Sequence, residues 1–401
     1  MRNKNGMMAE KIKNPQNIKT SDFENNWHGL YLHIPFCKQA CHYCDFHFST
    51  TMKYKSELVD ALCQELILRK EEVSGIVKTI YFGGGTPSLL TFAELNQIFQ
   101  CIYENYSVAE SAEITLEANP DDLSEEKINE LSKTKINRLS IGVQSFFEED
   151  LKLMNRAHNA EEAIKSIELA KKFFDNISID LIYGIPGMSN ARWKKNLEIA
   201  LETNVPHISA YALTVEPKTA LAKFIKTGKI KSVDDEVAQQ HFEILTETLD
   251  KAGMDHYEFS NFGKPGFFSQ NNLAYWHGKK YLGIGPAAHS YNGKLRSWNI
   301  ANNNKYIKSI QQNELPHETE ILSKTDRYNE FVMTHLRLRE GISVNDIEDK
   351  FGIEKKVYLL EQAQTYLKQD LLLLESGFLK ITKKGKFLSD GIAAGLFYIE
   401  E

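Results

Sequence analysis

The sequence predicts an α/β fold: an open partial (β/α)6 barrel of the TIM type, followed by a smaller α+β appendage of winged-helix character. Three observations predict it. Apolar strand-like runs alternate with amphipathic helical patterns six times between Leu30 and Thr214. Such alternation implies right-handed crossovers and a parallel sheet, and six units are too few to close an eight-stranded barrel. Beyond Ser323 the order changes to helical runs first and two short strands last.

Taken in order, the first strand is the run Leu30 to Phe36, closed by Pro35. The others are Thr79–Phe82, Glu113–Glu117, Arg138–Val143, Ile177–Tyr183 and His207–Thr214. Helical periodicity fills the gaps at Tyr54–Glu72, Phe92–Tyr106, Glu125–Lys133, Ala160–Phe174 and Arg192–Thr203, with Asp234–Ala252 after the last strand. In the appendage, helices over Arg327–Leu338, Val344–Phe351 and Val357–Gln369 precede strands Leu372–Glu375 and Phe378–Thr382. The division read from these patterns is an arm (1–28), a core (29–255), an extension and linker (256–322) and the appendage (323–401).

Composition narrows the class. With 42% hydrophobic and 25% charged residues, the chain is an ordinary folded one. A net charge of −6 gives no basic footprint for nucleic acid. No run approaches the length of a transmembrane span, and the polar start of the chain lacks the apolar run of a signal peptide. Five cysteines, three of them clustered, make no disulfide framework and point to a reducing cytoplasm. Cys63 and Cys101 fall in helical patterns and read as core thiols.

The chemistry concentrates at strand ends, where parallel α/β folds gather their functional groups. The first strand delivers Cys37, Cys41 and Cys44 on one short loop. Three thiolates can share an iron–sulfur cluster and leave one iron open. The plainer alternatives are a zinc site completed by His42 or His47, or three buried thiols. The second strand ends in Gly83-Gly84-Gly85-Thr86-Pro87, which permits a close backbone approach to a ligand. Glu117, Gln144, Asp180 and the nearby Arg156 present groups suited to a zwitterionic, ribose-bearing molecule. Singly, each would serve equally as a cap or loop anchor.

The spacing C-x3-C-x2-C after a strand resembles the signature of the radical S-adenosylmethionine (radical SAM) superfamily. Tyr31-Leu-His-Ile-Pro-Phe-Cys37, Gly84-Gly-Thr-Pro87, Leu116-Glu-Ala-Asn-Pro120, Ile141-Gly-Val-Gln-Ser145 and Asp180-Leu-Ile-Tyr-Gly-Ile-Pro-Gly187 are similar to the oxygen-independent coproporphyrinogen III oxidase family. The resemblance implies a 4Fe–4S cluster on the three cysteines, its open iron chelated by the amino and carboxylate groups of S-adenosylmethionine. It assigns contacts with that cosubstrate to Tyr31, Tyr43, Phe46, Gly84, Gly85, Thr86, Glu117, Gln144, Arg156, Asp180 and Ala212.

That family has two branches. The dehydrogenases oxidatively decarboxylate coproporphyrinogen III and carry a fourth cysteine where this chain has Phe46. They also carry a longer extension ahead of the cluster loop. Both differences point to the branch of HemW-type haem chaperones, which implies haem as ligand, haem-requiring client proteins and an electron donor as partners. The haem-associated His-Asn-x-x-Tyr-Trp segment of that branch corresponds here to Asn271-Asn272-Leu-Ala-Tyr275-Trp276. Asn271 cannot ligate iron as imidazole does. His277 and His289 are nearby candidates, and Tyr275 and Trp276 either pack on a porphyrin or belong to the core. The appendage has no concentrated basic face, so a protein-contact or lid role is expected of it.

Overall fold

The computed structural model describes residues 27–400. The arm expected at 1–28 therefore lies outside the described residues, apart from Trp27 and His28, which already belong to the first strand.

All six expected strands form and pair in parallel in chain order: β1 (Trp27–Ile34), β2 (Ile76–Gly84), β3 (Val108–Ala118), β4 (Arg138–Gln144), β5 (Asn176–Tyr183) and β6 (His207–Ala212). Helices α1 (Lys55–Leu68), α2 (Phe92–Asn105), α3 (Glu125–Ser132), α4 (Glu148–Met154), α5 (Ala160–Ala170) and α6 (Asn190–Glu202) make the crossovers. Several starts carry the cap their sequence promises. Thr91 and Asn159 each accept from the third helical N–H while Glu94 and Glu162 reach back to the cap.

Strand alternation separates two environments. Leu32, Phe82, Leu116, Leu139, Ile179 and Ile208 are fully buried and belong to the main hydrophobic core. The neighbouring positions Tyr81, Glu117, Ser140, Asp180 and Ser209 line an interior cavity instead. One face of a parallel sheet is thus polar and hollow, where such faces normally carry a packed apolar layer.

The barrel stays open, and both of its flanks are extended. After α7 (Ala220–Lys226) and α8 (Asp235–Lys251), the short strands β7 (Asp255–Glu258) and β8 (Asn261–Gly263) add antiparallel pairs beyond β6. The chain then crosses through α9 (Gln270–Trp276) to the opposite flank, where β9 (Lys280–Ile284) pairs in parallel with β1. There β10 (His289–Tyr291), β11 (Leu295–Asn299) and β12 (His317–Ile321) complete a 12-stranded sheet, with α10 (Asn303–Gln311) between the last two. The stretch read from sequence as extension and linker therefore supplies strands to the main sheet. They are short and partly polar, so period-two alternation has too few residues to show.

The C-terminal part builds a second hydrophobic cluster. It contains α11 (Lys324–Leu336), β13 (Ile342–Ser343), α12 (Val344–Phe351), α13 (Ile353–Lys368), the hairpin β14 (Leu372–Glu375) and β15 (Phe378–Ile381), and α14 (Ser389–Gly395). Its three-stranded sheet, ordered β13-β15-β14, together with the preceding helices is the winged-helix arrangement expected.

Candidate functional site

The cysteine loop leaves β1 and is pinned at both ends by backbone. Cys37 N–H donates to Ser49 O at 3.0 Å, and Ser49 N–H to Pro35 O at 2.7 Å. Further along, His42 N–H donates to Met154 O at 3.0 Å, which fastens the loop to α4. Both nearby imidazoles are committed elsewhere. His42 Nδ1 lies 2.8 Å from Leu153 O, and His47 Nε2 lies 2.7 Å from Asn303 Oδ1. Neither residue lines the cavity that the cysteines share. Among the described residues no group of three or more His, Cys, Asp or Glu closes round a single ion. Thiolates that share a polynuclear core need not crowd one point as the ligands of a lone zinc do.

The three sulfurs face one cavity of about 690 Å³. Two receive hydrogen bonds: Arg156 Nη1 donates to Cys41 Sγ at 3.2 Å, and Thr86 Oγ1 to Cys37 Sγ at 3.6 Å. Burial raises the Cys37 thiol and pushes Cys44 up to about 11. Each of these two also feels the negative charge of Cys41, as charges gathered at one place must. Soft sulfur donors with hydrogen-bond donors aimed at them fit an iron–sulfur core. The loop after β2 comes close by necessity. A Cβ on Gly85 would lie 2.6 Å from Phe36 O and 2.8 Å from Ile34 O, both backbone, and Gly84 sits at φ +106°.

Arg156 organises the next shell. Its Nη2 donates to Asn119 Oδ1 at 2.6 Å and to Gly142 O at 2.9 Å, while Asn119 Nδ2 donates to Thr86 Oγ1 at 3.2 Å. Deeper in the cavity two carboxylates stand within the barrel. Tyr81 Oη donates to Glu117 Oε1 at 2.8 Å, and Ser140 Oγ to Asp180 Oδ1 at 3.3 Å. Burial is the main cause that lifts Glu117 to about 7 and Asp180 to about 6, with the Asp180 charge adding to the first.

That shift has a measurable sign. A folded-state value above the unfolded one means the folded chain holds an extra proton between about 4.5 and 7. The stability this confers is complete below that window and is lost as pH rises through 7. Glu117→Gln removes the cost of the buried charge while keeping an acceptor for Tyr81. The variant is expected to be more stable than wild type at pH 8, by on the order of 3 kcal/mol, and no more stable at pH 4.5. Thermal melts of both ligand-free chains across that range check it; a difference that does not change with pH would refute it.

Every site residue expected from the sequence lines this cavity except Tyr31. Cys37, Cys41, Tyr43, Cys44, Phe46, Gly84, Gly85, Thr86, Glu117, Gln144, Arg156, Asp180 and Ala212 converge from five different strand ends, the cysteine loop and the turn after α4. Tyr31 stands behind the wall, stacked on Tyr81 at 6.2 Å with its Oη 3.1 Å from His33 Nδ1. Sequence reading missed Asn119 and Arg138. The first lay inside the quoted Leu116–Pro120 motif, and the second was visible as a charge opening an apolar run. The far side of the cavity was not foreseen: Phe242, Phe259 and Phe387 with Arg337 and Lys386. Burial brings Lys386 down to about 8.

The Asn271–Trp276 segment is α9, which reaches the inner face of the sheet. Gln270 and Asn271 N–H groups donate to the two oxygens of Glu113 at 3.0 Å each. Asn271 is buried and its side chain bonds Tyr275, itself packed edge-on against Tyr281. Asn271 is thus a core group, while Tyr275 stays partly exposed beside Tyr281. His289 lies exposed on β10, away from the cavity wall.

A polar, open half-barrel with a three-thiol loop at its mouth is the radical SAM architecture. The Radical SAM superfamily model matches residues 31–200, and that of the HemN C-terminal domain matches 322–388. The solved structure of "Coproporphyrinogen III oxidase (HemN) from Escherichia coli" superposes with a TM-score of 0.79 at 25% identity, covering 92% of this chain and 90% of that one. "Heme chaperone HemW" of Lactococcus lactis subsp. lactis (strain IL1403) is 35% identical over 365 residues, 90% of this chain and 95% of the relative. Its counterpart in Bacillus subtilis (strain 168) is 32% identical over 367 residues, 90% and 97% of the two chains. The chain belongs to the HemW family of haem chaperones within the radical SAM superfamily.

Among the described residues no helix is long and apolar enough to cross a membrane.

Proposed function

We propose that this chain is a haem chaperone that carries a 4Fe–4S cluster on Cys37, Cys41 and Cys44 and holds S-adenosylmethionine in the same cavity. It delivers haem to haem-requiring proteins in a reducing cytoplasm, and an electron donor serves the cluster. The convergence of three thiols, a Gly-rich loop, two carboxylates and Arg156 on one cavity carries this reading. Arg156 and Gln144 suit the carboxylate and hydroxyls of the cosubstrate, while Glu117 and Asp180 suit its ammonium and ribose. When bound, the cluster offers an open iron to the methionyl group and one electron to the sulfonium. Tyr31 acts from behind, through Tyr81 and His33.

The second reading is coproporphyrinogen III dehydrogenation, favoured by the likeness to HemN over most of the chain. Phe46 weighs against it. The fourth thiol of the dehydrogenases is replaced by a ring that is 67% exposed at the cavity rim. Anaerobically reconstituted protein, split between haem titration and incubation with coproporphyrinogen III, separates the two. A Soret shift without protoporphyrinogen is the expected result. Turnover of the porphyrinogen, or a flat haem titration, would overturn the proposal.

A further inference from the structure

Two of the five cysteines take no part in the cluster site, and the fold brings them together. Cys63 lies on α1 and Cys101 on α2, 38 residues apart in the chain. Neither lines the cluster cavity. The two helices pack side by side, and the cysteines occupy the seam between them. Each sulfur reaches the backbone of the opposite helix. Cys101 Sγ donates to Cys63 O at 3.2 Å, and Cys63 Sγ donates at 3.9 Å to Gln97 O, one turn before Cys101. The two thiols also hydrogen-bond one another. Asn105 steadies the far side of Cys101, donating to its carbonyl at 2.9 Å with the same amide 3.9 Å from its sulfur. These contacts bring the two backbones near the separation that a disulfide spans, roughly 4.4–6.8 Å between Cα atoms. Access is one-sided: Cys101 is buried and Cys63 is half-buried.

We infer that Cys63 and Cys101 form a reversible redox modification site, which takes a low-molecular-weight disulfide of the glutathione class and closes a bridge between α1 and α2. Cys63, the accessible partner, attacks one sulfur of the external disulfide, so that a mixed disulfide forms and one thiolate leaves. Cys101 then attacks Cys63 Sγ and expels the second thiolate. Two electrons pass from the protein to the reagent, both protein thiols give up their protons, and the reagent departs as two thiols. The hydrogen bond between the sulfurs suits this order. It holds Cys101 below the ordinary thiol range and Cys63 above it, which keeps a thiolate ready in the resolving position. Asp60 near Cys63 and Glu104 near Cys101 oppose ionisation and slow the first step. In a reducing compartment such a bridge is transient, as redox-sensing disulfides are. Once closed, it encloses β2 and fastens the first two crossover helices to each other.

The test uses the full-length, cluster-reconstituted chain in anaerobic glutathione buffers stepped from reduced to mostly oxidised, then quenched in acid and alkylated with iodoacetamide. Peptide mapping should find one cross-linked pair, carrying Cys63 and Cys101, which disappears on treatment with dithiothreitol. Cys101→Ser should instead accumulate glutathione on Cys63, because the resolving thiol is gone. Cys63→Ser should leave the buried Cys101 unmodified. The bridged wild-type chain should melt a few degrees above the reduced one, since the bridge restricts the unfolded chain, and neither variant should show that rise. Absence of the Cys63–Cys101 pair in the most oxidised buffer would overturn the assignment. So would glutathione retained on Cys63 of the wild-type chain, cross-links to Cys37, Cys41 or Cys44 in place of this pair, or a bridged form that melts lower than the reduced one.

Discussion

A Cys41→Ala chain is expected to emerge from anaerobic reconstitution with almost no iron and without the broad visible absorbance of a cluster. Two thiolates cannot hold a core that needs three, and neither His42 nor His47 lines the cavity to replace the third. His42 and His47 are bonded to Leu153 O and Asn303 Oδ1. The same substitution strips Arg156 of the sulfur it contacts at 3.2 Å, while its contacts to Asn119 Oδ1 and Gly142 O remain. Loss of a supporting contact alone typically costs roughly 10–100-fold in metal affinity, so loss of a ligand together with that contact should exceed it. Cys101→Ala is the matched control. Its sulfur donates to Cys63 O at 3.2 Å within the packing of α1 on α2, remote from the loop. That variant should load iron as wild type does. A normal iron content in Cys41→Ala, or its loss in Cys101→Ala, would remove the basis for placing a cluster here.

The contrast between those two cysteines shows what a sequence exposes. Spacing alone isolated Cys37, Cys41 and Cys44, because ligands to one core must be near each other in space and here are near in sequence too. The six strands were equally legible, since each is long enough for its apolar and polar positions to alternate visibly. Even the hollow interior was latent in Tyr81, Glu117, Ser140 and Asp180, four polar residues set one place out of phase with apolar neighbours. Pairings across long gaps were not legible. Glu113 caps α9 from more than 150 residues away, and nothing local to either marks the partner. For the same reason the aromatic segment at Tyr275–Trp276 could be read equally as porphyrin contact or as core. The surroundings of both rings come from β1, β9 and the end of α11. Tyr31 shows the complementary limit: a motif position is legible, but which neighbour its ring stacks on is set by an adjacent strand.

Glu65→Ala is the substitution expected to destabilise most, although Glu65 touches no residue of the site. Its carboxylate is fully buried and accepts four hydrogen bonds. Arg69 Nη1 donates at 3.1 Å, Asn299 Nδ2 at 2.7 Å, Gly285 N–H at 2.8 Å and Tyr306 Oη at 2.5 Å. These donors belong to α1, β11, the turn after β9, and α10, so one side chain fastens the added strands to the first helix of the barrel. Alanine leaves the buried Arg69 guanidinium without its innermost anion and orphans several donors. Breaking a buried ion pair costs about 3–5 kcal/mol, against a total stability of roughly 5–15 kcal/mol. Glu72, Gly283 O and Ser290 still engage Arg69, which keeps the loss toward the lower end. The damage should be local before it is global. Amide protection should fall first in β9–β11 and α10, while β2–β5 stay protected. A consequence for the cluster follows through α10, whose Asn303 holds His47, whose carbonyl in turn holds His33 Nε2 at 2.9 Å. Cluster yield should therefore drop in Glu65→Ala with all three thiols present. Urea unfolding, hydrogen exchange and iron content measured together test the chain of contacts, and wild-type behaviour in all three would mean that the added strands hold to the barrel without this carboxylate.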